Sequence, residues 1–290
     1  MTRQPACLTF DIEDWHHPEL VRSRVAAGDT RSVVRPGTER ILEILARHRA
    51  RATFFILGAV ARSHPDLVRR IADEGHEIAS HGDSHTSLWR LDRESFRAEL
   101  RAFRQAVRDA LGDDPARGFR APTFSLDRST AWALDVLLEE GFTYDSSIFP
   151  VKVKLYGVAG APLGVYRPAA GDLARHDPGA SLVEFPVAVH DVAGLRLPVA
   201  GGFYLRALPS AVFEGAFARV LAERPGVMFL HPWECAGDAL PRVALPAVDS
   251  FITYHNLAQA PARLERLLAR FGCEPMIDVL ERAGHLARAA

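Results

Sequence analysis

Ala6-Cys7-Leu8-Thr9-Phe10-Asp11-Ile12-Glu13-Asp14 is a short apolar run that ends in three acids. A strand buried on both faces reads this way when it delivers polar side chains at its C-terminal end. Working outward, helix and strand patterns alternate. Thr38 to His48 has a helical period, with Ile41, Leu42 and Leu45 on one face and Thr38 as the N-cap, and Ala52 to Leu57 reads as a second strand. Pro65 to Glu74 reads as a helix with Asp66 in its first turn and Gly75 just past its end, followed by a strand over His76 to Ala79. Arg93 to Leu111 is a long amphipathic helix, Gly118 to Arg120 a short strand, and Ser129 to Glu140 a helix closed by Gly141. This βαβα order predicts parallel strands, and therefore an α/β barrel or a doubly wound sheet.

From Pro150 to about Gly202 the rhythm changes, because glycine and proline are dense and helical periodicity is lost. The expectation is an insertion of short strands and loops at about 150–205. A helix over Pro209 to Glu223 and a strand over Val227 to Leu230 follow, then a helical extension at about 250–290 that includes Ala260 to Phe271. A chain of 290 residues fits a single elaborated barrel domain. With 35 basic and 36 acidic residues and a net charge of -1, no global field favours nucleic acid. Cys7, Cys235 and Cys273 lack CxxC spacing and are expected to be reduced, buried small hydrophobes. No apolar leader precedes the first strand and no run approaches 18 apolar residues, so the expectation is a cytoplasmic protein without a membrane-spanning segment.

Two clusters carry the chemistry. The acids Asp11, Glu13 and Asp14 crowd one strand end, where carboxylates repel unless a cation or an arginine sits among them. In Ser80-His81-Gly82-Asp83-Ser84-His85, two imidazoles lie four residues apart, a spacing that on one helical turn faces both rings toward one metal. Parallel α/β folds gather residues from different strand ends into one site, so the clusters are expected to meet. Two histidines and one carboxylate leave a coordination position open, which suits hydrolysis. Arg120 ends another strand and is placed to orient a catalytic carboxylate. Asp145 and His231 close two further strand-like runs.

The run Thr9-Phe10-Asp11-Ile12-Glu13-Asp14, then His81-Gly82-Asp83-Ser84-His85, Arg120-Ala121-Pro122, Asp145-Ser146-Ser147 and Leu230-His231-Pro232, resembles in order the five motifs of the NodB-homology polysaccharide deacetylases, carbohydrate esterase family 4. Leu197 to Tyr204, His231 to Glu234 and Phe251 to Leu257 resemble the branch found among bacterial exopolysaccharide biosynthesis genes, including loci linked to exosortase systems. The resemblance implies an irregular (β/α) barrel with fewer than eight repeats and inserted short strands. It implies Asp11 as general base held by Arg120, and His81 and His85 as ligands of a divalent metal, with zinc expected and cobalt, manganese or nickel as alternatives. It implies His231 as the acid that protonates the leaving amine with Asp145 orienting its ring, and a backbone N–H near Thr123 at the oxyanion. The first motif departs from the usual adjacent aspartates. Strand alternation favours Glu13 as the third ligand, whereas a strand ending before it favours Asp14, and Asp14 is the expectation adopted. Trp15, Trp89, Phe124, Trp233 and Tyr204 are candidate sugar-stacking surfaces against a background of ordinary packing. Thr123 stands where many relatives carry an aromatic.

The expected activity is removal of N-acetyl groups from amino-sugar units of a bacterial exopolysaccharide or of a lipid-linked sugar precursor. Hydrolysis of a non-sugar amide C–N bond and silent carbohydrate binding are the alternatives. The first would go with altered metal motifs and the second with a missing base or acid; Asp11, His81, His85 and His231 are all present.

Overall fold

In a computed structural model, which describes residues 3–29 and 31–288, seven parallel strands form one curled sheet. The strands are β1 (Ala6–Ile12), β2 (Thr53–Ile56), β3 (Glu77–Ser80), β4 (Gly118–Phe119), β5 (Tyr144–Asp145), β6 (Val183–Glu184) and β7 (Gly226–Leu230), in spatial order β7-β1-β2-β3-β4-β5-β6. Every residue of β1, β2 and β7 is buried, as strands covered on both faces require. The sheet closes on itself through one bridge, Val187 to Val227, with the Ala188 N–H donating to the Val227 carbonyl at 2.8 Å. The result is the irregular barrel of fewer than eight repeats that the resemblance implied.

Register determines where the site forms. Ile12 pairs with Ile56, Ile56 with Ser80, Ser80 with Phe119, Phe119 with Asp145, and Asp145 with Glu184, while Phe10 pairs with Leu230 on the other side of β1. Glu13, His81, Arg120, Ser146 and His231 are thus each the first residue beyond a strand, all at one rim of the barrel. Parallel strands place functional side chains at this C-terminal rim.

The long helix matches expectation at Arg93–Leu111, with a capping box between Asp92 and Ser95 and Gly112 beyond its end at φ 88°. Other boundaries move. The first long helix spans Val34–Arg47, so Thr38 is not its N-cap but a buried residue inside it. Pro36 sits in the first turn, where no intrahelical N–H bond is lost. The helix expected from Ser129 begins at Ala133, after a turn tied by Thr130 and Asp127. Between two antiparallel pairs, Pro168–Ala169 with Asp172–His176 and Val189–Val192 with Leu195–Pro198, the glycine- and proline-rich segment carries β6. That segment therefore supplies barrel wall as well as loops. Three C-terminal helices, Ala247–Tyr254, Ala260–Phe271 and Met276–Arg282, complete the extension. Among the described residues no helix is long and apolar enough to cross a membrane. Cys7, Cys235 and Cys273 are free thiols, the first two buried.

Candidate active site

Because β1 runs through Ile12, its alternation continues and turns Glu13 to the same side as Asp11. The Glu13 carboxylate abuts His85 Nε2 and lies 3.8 Å from His81 Nε2. Ligand atoms of Glu13, His81 and His85 all lie within 4.8 Å of one another, and all three residues are buried. Asp14 turns the other way. Its Oδ1 accepts the backbone N–H groups of Trp15 at 2.8 Å and Val33 at 3.0 Å, so it organises the loop after β1 and does not join the imidazoles. The placement expected for Asp14 is that of Glu13, because the strand is longer than the reading of Asp14 assumed.

The two imidazoles are not brought together by a helical turn either. Residues 81–85 form a bend with Gly82 at φ 78° and His85 at φ 59°, a left-handed conformation that costs a histidine on the order of 1 kcal/mol or more. The bend is pinned from the long helix. Glu99 accepts the N–H groups of Asp83 at 3.0 Å and Ser84 at 2.8 Å, while Arg62 grips Asp83 through two bonds at 2.6 and 2.9 Å. His81 Nδ1 meets the Arg120 carbonyl at 2.8 Å, which puts its proton there and leaves Nε2 free to bind a cation. Burial holds the His81 imidazole down at about 4, and hence neutral. Burial pushes Glu13 upward, but His85, His231 and His81 prevail and hold its carboxyl well below the usual range. A carboxylate beside two imidazoles, one of them with its outer nitrogen secured on the Arg120 carbonyl, fits a divalent first-row cation.

Arg120 is fully buried. Its Nη1 donates to Asp11 Oδ1 and Thr9 Oγ1, both at 2.7 Å, its Nε to the Ser146 carbonyl at 3.0 Å, and its Nη2 to Ser146 Oγ at 2.9 Å. The guanidinium also lies over the Phe55 ring at 4.1 Å. Asp11 is thereby fixed on one oxygen, with its other, Oδ2, 4.0 Å from His231 Nε2. His231 Nε2 is 3.6 Å from Glu13 Oε1, so Asp11, His231 and the Glu13–His81–His85 cluster share one small space.

Asp145 does not reach His231. Its oxygens accept from Ser147 Oγ at 2.5 Å and the Ser147 N–H at 3.2 Å, and Ser147 Oγ accepts the Ala121 N–H at 2.7 Å. Asp145 therefore braces the turn after β4, and burial raises its pKa against the lowering effect of its hydrogen bonds with Glu184 and Ser147. The carboxylate at the His231 ring is Glu234, whose Oε2 is 3.0 Å from Nδ1. Burial works against a charged His231, yet the Glu234 hydrogen bond and the fields of Glu13, Glu234 and Asp11 outweigh it and lift the imidazole to about 9. Glu234 was visible in the sequence only as the last residue of His231-Pro232-Trp233-Glu234.

A cavity of about 250 Å³ opens over these groups, lined by Asp11, Glu13, His81, His85 and His231. Thr123, Phe124, Trp15, Trp233 and Tyr204 line it too, and the Trp233 ring stacks on His231 at 5.1 Å and 14°. Trp89 lies outside it, donating its Nε1–H to Asp127. Thr123 and Phe124 are consecutive left-handed residues at φ 59° and 49°, a strained turn at the cavity wall.

Residues 2–143 match the family described as polysaccharide deacetylase, and the imidazole cluster lies in this stretch. That stretch belongs to the family. Residues 146–281 match a domain of unknown function (DUF3473), which contributes β6, β7, His231 and Glu234. A chitooligosaccharide deacetylase of Rhizobium leguminosarum bv. trifolii is 40% identical over 100 residues, 34% of this chain and 43% of the relative. The chain thus spans about two-fifths of the length of such curated relatives. The structure of a "putative polysaccharide deacetylase" from Mycobacterium smegmatis superposes with a TM-score of 0.65 at 25% identity, over 99% of this chain and 93% of that one. Puue allantoinase superposes at a TM-score of 0.62 and 17% identity, over 99% and 92%, a likeness of fold alone.

Proposed function

We propose that the protein is a divalent-cation-dependent deacetylase that hydrolyses the N-acetyl amide of amino-sugar units. The observation that carries this reading is the convergence, in one cavity, of the Glu13, His81 and His85 ligand atoms with Asp11 on one side and His231 on the other. Zinc is the expected cation, held by those three side chains. When bound it would polarise the acetyl carbonyl as a Lewis acid.

The chain's own groups supply the rest. Asp11, held by Arg120 through Oδ1, takes a proton from the attacking water at Oδ2, and the new C–O bond forms at the acetyl carbon. As the C–N bond breaks, His231 Nε2 gives its proton to the departing nitrogen, so that acetate and a free amine result. The Thr123 turn lines the cavity where the oxyanion would develop. Stacked Trp233 limits the rotation of the His231 ring.

Beyond the polar groups the cavity wall is aliphatic and aromatic, with Leu20, Val21, Leu155, Phe203 and Ile252 among its residues. Such a wall favours an amino sugar carried on an apolar group, as in a lipid-linked precursor, over a long polar glycan. The test is acetate release by zinc-loaded protein from N-acetylglucosamine oligomers and from N-acetylated lipid-linked sugars. Asp11→Asn is expected to keep its cation and lose turnover by orders of magnitude. Near wild-type release by that variant would refute the mechanism.

A further inference from the structure

The His231 ring is held from several directions. Trp233 covers one face, Phe229 meets the ring edge-on at 5.7 Å, and Nδ1 lies 3.0 Å from Glu234 Oε2 while Nε2 faces Glu13 and Asp11. A carboxylate only accepts, so this contact places a proton on Nδ1 and makes Nε2 the atom that exchanges protons with substrate.

Glu234 is itself held from elsewhere. Arg206 Nε donates to Glu234 Oε1 at 2.9 Å, and both side chains are 1% exposed. The other Arg206 nitrogens donate to the carbonyls of His255 and, at 3.1 Å, Ile252, while Asn256 Nδ2 donates to the Arg206 carbonyl at 3.2 Å. Gly202 lets the carboxylate in, for a Cβ there would lie 2.0 and 2.2 Å from its two oxygens. Three segments distant in sequence, around Gly202, Glu234 and Asn256, thus converge behind one imidazole.

We propose that Glu234, locked by Arg206, is the positioning residue that fixes the tautomer and direction of His231 for proton delivery to the leaving amine, a role that Asp145 does not fill. The proposal rests on the deacetylase reading. The competing account is a plain helix cap, since Glu234 also accepts the His231 backbone N–H at 3.1 Å and opens the turn Pro232–Cys235. A capping box would use the ring as an acceptor for the Glu234 N–H, which requires a bare ring nitrogen there instead of a protonated Nδ1.

The experiment combines ring ¹⁵N NMR, at one pH high enough for the His231 ring to be neutral, with kinetics on two acyl substrates. In ¹⁵N-histidine-labelled protein, with His231→Gln for assignment, the wild-type ring should carry its proton on Nδ1. Glu234→Gln should lose that preference. Gly202→Ala should lose it too, with every charge retained, which covers the case in which Glu234→Gln fails to fold. In zinc-loaded protein, kcat on an N-acetylated oligosaccharide should fall by on the order of 10²-fold in either variant with KM nearly unchanged. Turnover of an aryl acetate, whose phenolate leaves without a proton, should fall only a few-fold. A wild-type ring with bare Nδ1, equal losses on amide and ester, or an Asp145→Asn variant that reproduces the pattern would overturn the proposal. An Nδ1 proton on Glu234 in a protein that releases no acetate would support the positioning and overturn the deacetylase reading.

Discussion

Replacing Arg120 by methionine isolates the support of the proposed base. The substitution keeps an apolar stem over Phe55 but deletes four hydrogen bonds and leaves the buried Asp11 carboxylate without its cation. Breaking one partner out of a buried pair costs about 3–5 kcal/mol, because the remaining charge stays desolvated. Against a total stability of about 5–15 kcal/mol that is a large share, and it corresponds to a fall in Tm of roughly 6–20 °C. The assay is urea unfolding in the presence of a chelator, since a bound cation would add its own stabilisation. The charge argument makes a second, sharper demand. Asp11→Asn in the Arg120→Met background removes the uncompensated charge and should recover about 1–3 kcal/mol, a coupling typical of contacting residues. A loss below about 1 kcal/mol, or a double variant no more stable than Arg120→Met alone, would refute the reasoning.

Two further outcomes are expected. Glu13→Gln should weaken zinc binding measured by calorimetry at least tenfold, whereas Asp14→Asn should leave affinity nearly unchanged and lower stability through its two amide contacts; the reverse order would restore Asp14 as ligand. His76 is buried with Nδ1 accepting the Ala52 N–H, and burial holds its pKa down to about 4 from the ordinary 6.5. The unfolded chain therefore binds a proton first, and stability present above pH 6.5 is lost as pH falls toward 4. His76→Asn should flatten that part of the stability profile, and an unchanged slope would remove His76 as its cause.

The barrel was legible where period and punctuation agreed. The helix Arg93–Leu111 is bounded by Asp92 and Gly112, both plain in the sequence. The start of the helix Val34–Arg47 was not, because Pro36 and Gly37 look like breakers; Pro36 falls in the first turn, and a Cβ on Gly37 would lie 2.1 Å from the Pro232 carbonyl. No local pattern reveals that kind of close approach. β6 was hidden for another reason, since two residues among glycines and prolines carry no periodicity and it is their pairing with Tyr144 and Asp145 that defines the strand. At the site, residues named by type and spacing converged, namely Asp11, His81, His85, Arg120 and His231. The sequence left placement between neighbours or partners open: whether Glu13 or Asp14 faces the imidazoles turned on one residue of strand length, and whether Glu234 or Asp145 meets the His231 ring turned on packing between distant segments.

β1 finds its neighbour β7 across most of the chain, with Ala6 beside Gly226 and Phe10 beside Leu230. Pairings so remote in sequence are slow to form, and chains fold from their N-terminal side as they are made. Glu13, His81 and His85 are thus synthesised long before His231, and the rim is complete only once the last strand docks. On a ribosome, the apparatus for gripping an ion would precede the apparatus for moving a proton, and reactivity would arrive with the final closure.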